Sequence, residues 1–135
     1  MIDLDACPCS GRNLSKLLAP AILLQLTNDD LHGYEIVRRL TESPFMAGHK
    51  PDAAGVYRML RDMESRGLLT AAWETGETGP AKRTYHLTED GCQCLARWHA
   101  TLEEHSAALD KLLAMMREGL ASRKRTPEGG RDVRE

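Results

Sequence analysis

Aromatic residues are scarce in this 135-residue sequence, which contains one Phe, two Trp and three Tyr. The core must therefore be mainly aliphatic, and a core of this size stabilises a chain only modestly without a partner subunit. No run approaches the roughly 20 apolar residues that a membrane-spanning helix needs. The N-terminal stretch MIDLDACPCSGR has no basic segment before an apolar run, so it does not predict a secretory signal. We expect a cytoplasmic protein without a membrane partner.

A net positive charge is also missing, since the formal net charge is −2 at pH 7. Any binding to nucleic acid must then rest on local basic patches rather than on a global field. The sequence has no Gly-rich phosphate loop, no Ser/His/Asp order and no carboxylate pair suited to a cleft. We therefore predict that the protein is not an enzyme.

The spacing of apolar residues predicts three helices in the first half of the chain. The stretch NLSKLLAPAILLQLT, residues 13–27, predicts a helix that Pro20 kinks or restarts. NDDLHG is typical of a polar turn, and HGYEIVRRLTES predicts a second helix. The third helix is predicted to have Pro51 in its first turn and to end at Gly67 in a left-handed conformation.

The apolar period changes over LLTAAWETGETGPAKRTYHLT, where two extended runs flank the turn GETGP and predict a two-stranded hairpin. Thr88 is predicted to cap a long helix over residues 89–118. The rest of the chain offers nothing to cover the apolar stripe of this helix, so we expect it to pack on a second copy. The residues of this predicted dimer interface are Leu95, Trp98, Leu102, Leu109, Leu113 and Met116.

This order of elements is typical of a winged helix-turn-helix followed by a dimerisation helix. The expected fold class is mainly α with a small two-stranded hairpin. We divide the chain into a flexible cysteine-bearing arm (1–12), a winged-helix DNA-binding domain (13–88), a dimerisation helix (89–118) and a disordered tail (119–135). The tail assignment rests on its charged, aperiodic composition.

The third helix has small residues at its front. A reading helix enters the major groove by its N-terminal end. Ala53, Ala54 and Gly55 would let the backbone approach DNA there, and the free N–H groups at that end attract phosphate. Basic and aromatic residues around this helix and after the hairpin turn are predicted to contact phosphates or base edges, namely Lys50, Tyr57, Arg58, Arg61, Lys82 and Arg83.

A structural interpretation of the same residues stays open. Gly55 could mark a tight crossing of two helices. Arg58 and Arg61 could form a solvated face paired with Asp62 and Glu64.

Three stretches resemble the PadR family of transcriptional regulators: LHGYEIVRRL (31–40), KPDAAGVYRMLRDMESRGLL (50–69) and GPAKRTYHLTEDG (79–91). The resemblance covers roughly residues 14 to 116. It implies a winged-helix homodimer of the smaller subfamily, usually a repressor, that binds a palindromic operator and is released by a small ligand or by stress. It also implies that Tyr34 and Tyr57 lie near the DNA backbone, beside the wing lysine or arginine. It does not imply which effector acts.

Two C-x-C pairs lie outside those stretches or at their edge. In an extended CPC segment, Cys7 and Cys9 face the same side. On a helix, Cys92 and Cys94 are about 200° apart, so only one of them can face a given ion. Three thiolates could hold a soft metal ion, zinc or iron, or could sense oxidation. The alternative is that these cysteines are inert thiols and small hydrophobes.

The leading hypothesis is a sequence-specific DNA-binding transcriptional regulator, a repressor acting as a homodimer on a palindromic operator. Its expected partners are double-stranded DNA, a second copy of itself and a small-molecule or redox effector. Two alternatives remain: a metal- or redox-sensing cysteine protein on a winged-helix scaffold, and a protein-interaction adaptor.

Overall fold

The computed structural model describes Asp3 and residues 17–46, 51–74 and 82–125. The chain forms two compact units, Met1–Trp98 and His99–Glu135. The elements in chain order are α1 (Leu18–Gln25), β1 (Leu31–His32), α2 (Gly33–Thr41), a short 3-10 helix (Pro44–Met46), α3 (Ala53–Ser65), β2 (Leu69–Glu74), β3 (Lys82–Leu87) and α4 (Glu89–Arg125).

The core of the first unit is aliphatic, as the scarcity of aromatic residues predicts. α2 and α3 each place one face inward, because their apolar residues recur at helical spacing. α1 is buried over most of its surface, at Leu18, Pro20, Ala21, Ile22 and Leu23. Tyr85 is the one aromatic side chain among the buried hydrophobic residues of the described chain. The fully buried side chains are Ile22, Leu23, Ile36, Leu40, Val56, Leu60, Met63 and Leu69.

The sheet has three antiparallel strands in the order β1–β3–β2. The predicted hairpin is present as β2 and β3, with Trp73 opposite Arg83. The prediction of two strands and a polar turn was incomplete, because Leu31 and His32 pair with β3. A strand of two residues is too short to show alternation in the sequence, and only the burial of Leu31 reveals that it faces the core.

Two prolines lie at the beginnings of helices. Pro20 is the third residue of α1, so it lies in the first turn of the described helix and does not kink its interior. A missing N–H is harmless there because the first amides of a helix have no intrahelical partner. Pro51 lies just before Asp52, the N-cap residue of α3.

Gly67 ends α3 as predicted, with a positive φ of 82°. The N–H of Leu68 donates to Met63 O at 2.9 Å, and the N–H of Gly67 donates to Glu64 O at 3.1 Å. This pair of bonds satisfies the last carbonyls of the helix and turns the chain into β2.

Thr88 caps α4 as predicted, because its Oγ1 accepts a hydrogen bond from the N–H of Gly91 at 3.0 Å. The same hydroxyl group lies 2.7 Å from Gly67 O, which fastens the start of α4 to the end of α3. A Cβ at position 91 would lie 2.3 Å from the backbone oxygen of Leu68. Gly91 is therefore required by close backbone packing.

The helix α4 is longer than predicted. It continues through Gly119 to Arg125, because the residues around Gly119 favour helix and together outweigh the roughly 1 kcal/mol that one glycine costs. The later part of the predicted tail, 126–135, lies outside the described residues. None of the helices that the structure describes is long and apolar enough to cross a membrane.

Replacing Gly91 with Ala should destabilise the protein by about 1–3 kcal/mol, because the added methyl group meets a backbone oxygen that cannot move aside. Gly119→Ala is the matched control, since a Cβ there meets nothing within 4 Å. That change should stabilise the helix by up to about 1 kcal/mol. Urea unfolding of both variants measures the difference, and an equal response at the two positions would contradict the close packing of Gly91.

Candidate nucleic-acid interface

The sequence His32-Gly33-Tyr34-Glu35 builds the start of α2. The N–H of His32 donates to Glu35 Oε1 at 3.0 Å, which satisfies a backbone donor at the helix terminus. A Cβ at Gly33 would lie 2.5 Å from Cε1 of Tyr57. The missing side chain at position 33 therefore lets the ring of Tyr57, from α3, pack against the backbone of α2.

His32 connects this helix start to the hairpin. Its Nδ1 lies 3.2 Å from Thr84 Oγ1, and the hydroxyl group of Thr84 donates to the Glu74 carboxylate. Since a hydroxyl group has one hydrogen, the histidine must be the donor in its own bond to Thr84. The ring of His32 also stacks on Tyr34, with centroids 5.5 Å apart and planes 12° apart.

Lys82 reaches Tyr34 from the hairpin. Its Nζ lies 5.5 Å from the centroid of the Tyr34 ring, a cation–π distance. Tyr34 is 52% exposed and Tyr57 is 36% exposed, so both rings present a surface to solvent. Side chains of α2, α3 and β3 thus meet in one place.

They line an open cleft of about 330 Å³. The cleft contains five of the predicted DNA contacts together with four residues that were not among them. No carboxylate is among its lining residues, and within the described ranges no ion pair involves Arg61 or Lys82. The third cation, Arg83, is paired with Glu64. The aromatic walls together with Arg61 and Lys82 suit an anionic group such as a backbone phosphate. The lining residues are His32, Gly33, Tyr34, Tyr57, Arg61, Trp73, Lys82, Arg83 and Tyr85.

The front of α3 lies outside this cleft. Ala53 and Ala54 are exposed in its first turn, and Lys50 falls outside the described residues. A Cβ at Gly55 would meet only side-chain atoms of Asp52 and Arg58, at 3.5 and 3.6 Å, so Gly55 does not mark a helix crossing. Among the described residues, nothing packs closely enough on Gly55 to require its small size.

Two side chains of opposite charge lie close together at the front of α3. Arg58 Nη2 lies 4.0 Å from Asp52 Oδ2, and both side chains are exposed. The carboxylate of Asp52 occupies the helix end that would attract phosphate. Sequence reasoning did not weigh this residue, although its position just before the apolar period of α3 was the available signal.

Arg83, a predicted DNA contact, makes an ion pair within the protein. Its Nη2 lies 2.6 Å from Glu64 Oε2, and its guanidinium carbon lies 5.4 Å from the Trp73 ring centroid and 5.6 Å from that of Tyr85. The solvated-face interpretation had paired Glu64 with the arginines of α3. Instead, Glu64 binds an arginine of the hairpin.

The apolar stripe of α4 divides between the two units. Leu95 and Trp98 pack, partly buried, against the core of the first unit. In the second unit Leu102 is half-buried, whereas Leu109, Leu113 and Met116 are each at least half exposed. Further exposed apolar residues in that unit are Leu112, Met115 and Leu120.

The predicted cysteine site cannot be assembled from the described residues, because Cys7 and Cys9 lie outside them. Cys92 is exposed, and Cys94 packs partly buried against the core. In the part of the chain that the structure describes, no group of three or more His, Cys, Asp or Glu residues is placed to hold a metal ion. The packing of Cys94 is that of a small hydrophobe.

The helix pair α2–α3, the adjacent hairpin and the cationic cleft between them define a winged helix-turn-helix protein of the DNA-binding type. The family model described as "Transcriptional regulator PadR-like family" matches residues 22–97, more than half of the chain. The protein therefore belongs to the PadR-like family of transcriptional regulators. No curated protein sequence matches it.

Solved structures of the same fold agree with this assignment. A PadR family transcriptional regulator from Eggerthella lenta is 26% identical, with a TM-score of 0.69 over 81% of this chain and 93% of that one. A candidate transcriptional regulator from Thermoplasma acidophilum is 27% identical, with a TM-score of 0.65 over 76% of this chain and 96% of that one. A PadR-like regulator from Bacillus cereus, 23% identical with a TM-score of 0.62 over 74% and 94% of the two chains, shares the fold.

Replacing Gly33 with Ala should destabilise the protein by about 1–3 kcal/mol, because the new methyl group overlaps the Tyr57 ring. In a Tyr57→Ala background the same change should cost much less, since the overlapping ring is gone. Urea unfolding of the two single variants and the double variant gives the coupling between them. Additive effects would contradict direct contact between position 33 and the ring.

Proposed function

We propose that the protein is a sequence-specific repressor that binds a palindromic operator as a homodimer and has no enzymatic activity. The observation that carries the proposal is the meeting of Tyr34, Tyr57, Arg61 and Lys82 in one cleft without a carboxylate. Membership of a family of transcriptional regulators supports it. With DNA as its ligand, the protein would act in the cytoplasm.

In this proposal the cleft holds a phosphate of the DNA backbone. Lys82 has its ammonium group over the Tyr34 ring, where it can contact a phosphate oxygen without breaking an ion pair to another described residue. Phosphate contacts fix the register of a protein on the duplex and leave sequence readout to groups in the groove. The exposed front of α3, with Ala53, Ala54 and Gly55, is the part that would approach base edges.

The exposed stripe on the second unit supports a dimer. Leu109, Leu113 and Met116 are 55%, 52% and 50% exposed, and they recur at helical spacing along α4. Monomeric proteins rarely leave such a continuous apolar patch in water. A second copy offers the same patch, and a two-fold dimer would then read a palindromic site.

A small molecule or an oxidant acting as effector remains part of the proposal. Cys92 is exposed, but the described residues show no ligand set around it. For that reason the metal-sensing function is not proposed in place of DNA binding.

Lys82→Ala should weaken binding to every duplex alike and lower the slope of log affinity against log salt by about one unit, because one phosphate contact is lost. The matched control is Lys111→Ala, which removes the same charge from α4 of the second unit. Fluorescence anisotropy over a series of salt concentrations measures both. An unchanged slope for Lys82→Ala would show that this lysine does not contact the backbone.

Leu109→Lys should convert the protein to a monomer, because it places a charge in the proposed interface between two copies. Glu104→Lys is the control, since position 104 lies about 140° around the helix from position 109. Sedimentation velocity reports the assembly state. A Leu109→Lys variant that remains a dimer, or that binds an operator normally as a monomer, would contradict the proposed assembly.

A further inference from the structure

We propose that Arg83 is a positioning residue, which holds the hairpin against the C-terminal end of α3 through Glu64, and that it does not contact DNA. This inference rests on the proposed function, since DNA binding is the activity that the position of the hairpin would serve. It reassigns a residue that the sequence alone places among the phosphate contacts.

The geometry around Arg83 is that of an internal contact. Its Nη2 lies 2.6 Å from Glu64 Oε2, and the two side chains are only 27% and 30% exposed. The guanidinium group also lies near the rings of Trp73 and Tyr85, at 5.4 and 5.6 Å from their centroids. A planar guanidinium group is suited to this combination of a carboxylate partner with aromatic neighbours.

The charge of Arg83 already has a partner within the protein. Glu64 neutralises it, and the Nε atom is buried without a hydrogen-bond partner among the described residues. Arg83 also lines the cleft, but its guanidinium group is held by Glu64. A phosphate that drew it away would leave the half-buried Glu64 carboxylate without its cation, which is unfavourable. Lys82 has neither constraint, although it is the adjacent residue in the sequence.

The position of the pair explains what it would do. Glu64 lies in the last turn of α3, and Arg83 lies opposite Trp73, one register pair from the Glu74–Lys82 pair that ends the described hairpin. The base of the hairpin is held by the buried side chains of Leu69, Tyr85 and Leu87. The Arg83–Glu64 ion pair adds a second attachment nearer the end of the described hairpin. The placement of Lys82 relative to α3 therefore depends on this ion pair.

Glu64→Gln separates the two possible roles of Arg83 by the sign of its effect. If Arg83 binds DNA, removing the carboxylate frees the guanidinium group and removes a negative charge, so binding should tighten. If the pair positions the hairpin, the same change loosens the hairpin and specific binding should weaken.

The test uses the full-length protein and a duplex selected by that protein from a random-sequence pool, with an unrelated duplex of equal length for non-specific binding. The variants are Glu64→Gln, Arg83→Gln and the double variant. The matched control is Asp62→Asn, which removes the same charge from α3 where the partner, Arg66, is exposed and 3.3 Å away. Urea unfolding establishes that each variant is folded at the assay temperature.

We expect Glu64→Gln and Arg83→Gln each to lower affinity for the selected duplex by about tenfold. A change of this size is typical of the interaction energy between two residues in contact. The salt slope should not change, because the DNA-bound state keeps the Lys82 contact and only the cost of ordering the loosened hairpin is added. The double variant should bind little worse than either single variant, and Asp62→Asn should not weaken binding. Tighter binding by Glu64→Gln, or a slope lowered by about one unit in Arg83→Gln, would overturn the proposal.

Hydrogen exchange without DNA gives a second readout. Amides of residues 69–74 and 82–87 should exchange faster in Glu64→Gln than in the unsubstituted protein, while Asp62→Asn leaves them unchanged. Equal exchange in all three proteins would overturn the positioning role. If the unsubstituted protein selects no duplex, the proposed function fails, and hydrogen exchange still decides whether the pair holds the hairpin.

Discussion

The contact between Gly33 and the Tyr57 ring is the constraint on which the candidate interface depends. The ring of Tyr57 takes the space that a side chain at position 33 would occupy. This contact brings α2 and α3 together with their two exposed tyrosines on one cleft. The cationic residues of α3 and β3 face one cleft because the two tyrosine rings form its walls.

The stretch from residue 31 to residue 35 makes most of the necessary connections. Leu31 is buried in the core and pairs with β3, and His32 bonds to the hairpin. Gly33 leaves room for the Tyr57 ring, and Tyr34 contacts Lys82. Glu35 caps the start of α2. The two-residue strand β1 therefore contributes to both the core and the cleft.

Local signals in the sequence were sufficient for the helices, the hairpin and two of their ends. Gly67 ends α3 and Thr88 caps α4 through neighbours within a few positions, so these two roles could be predicted. The partner of Arg83 could not, because Glu64 is 19 positions away in another element. Periodicity alone favoured neighbours on the same helix.

From periodicity alone, the whole apolar stripe of α4 was predicted to pack on a second copy. Leu95 and Leu109 belong to the same predicted face, yet the first packs on the core of its own unit and the second is exposed. The interface prediction for Lys50 and the metal prediction for Cys7 and Cys9 concern residues outside the described ranges.

The two crowded glycines impose different rules on sequence change. At position 33 the obstacle is the side chain of Tyr57, so a lineage could gain a methyl group there once position 57 had become smaller, and only in that order. At position 91 the obstacle is the backbone oxygen of Leu68, which every residue type carries. A change at position 57 can therefore relieve the crowding at position 33, whereas no substitution at position 68 removes the oxygen that crowds position 91.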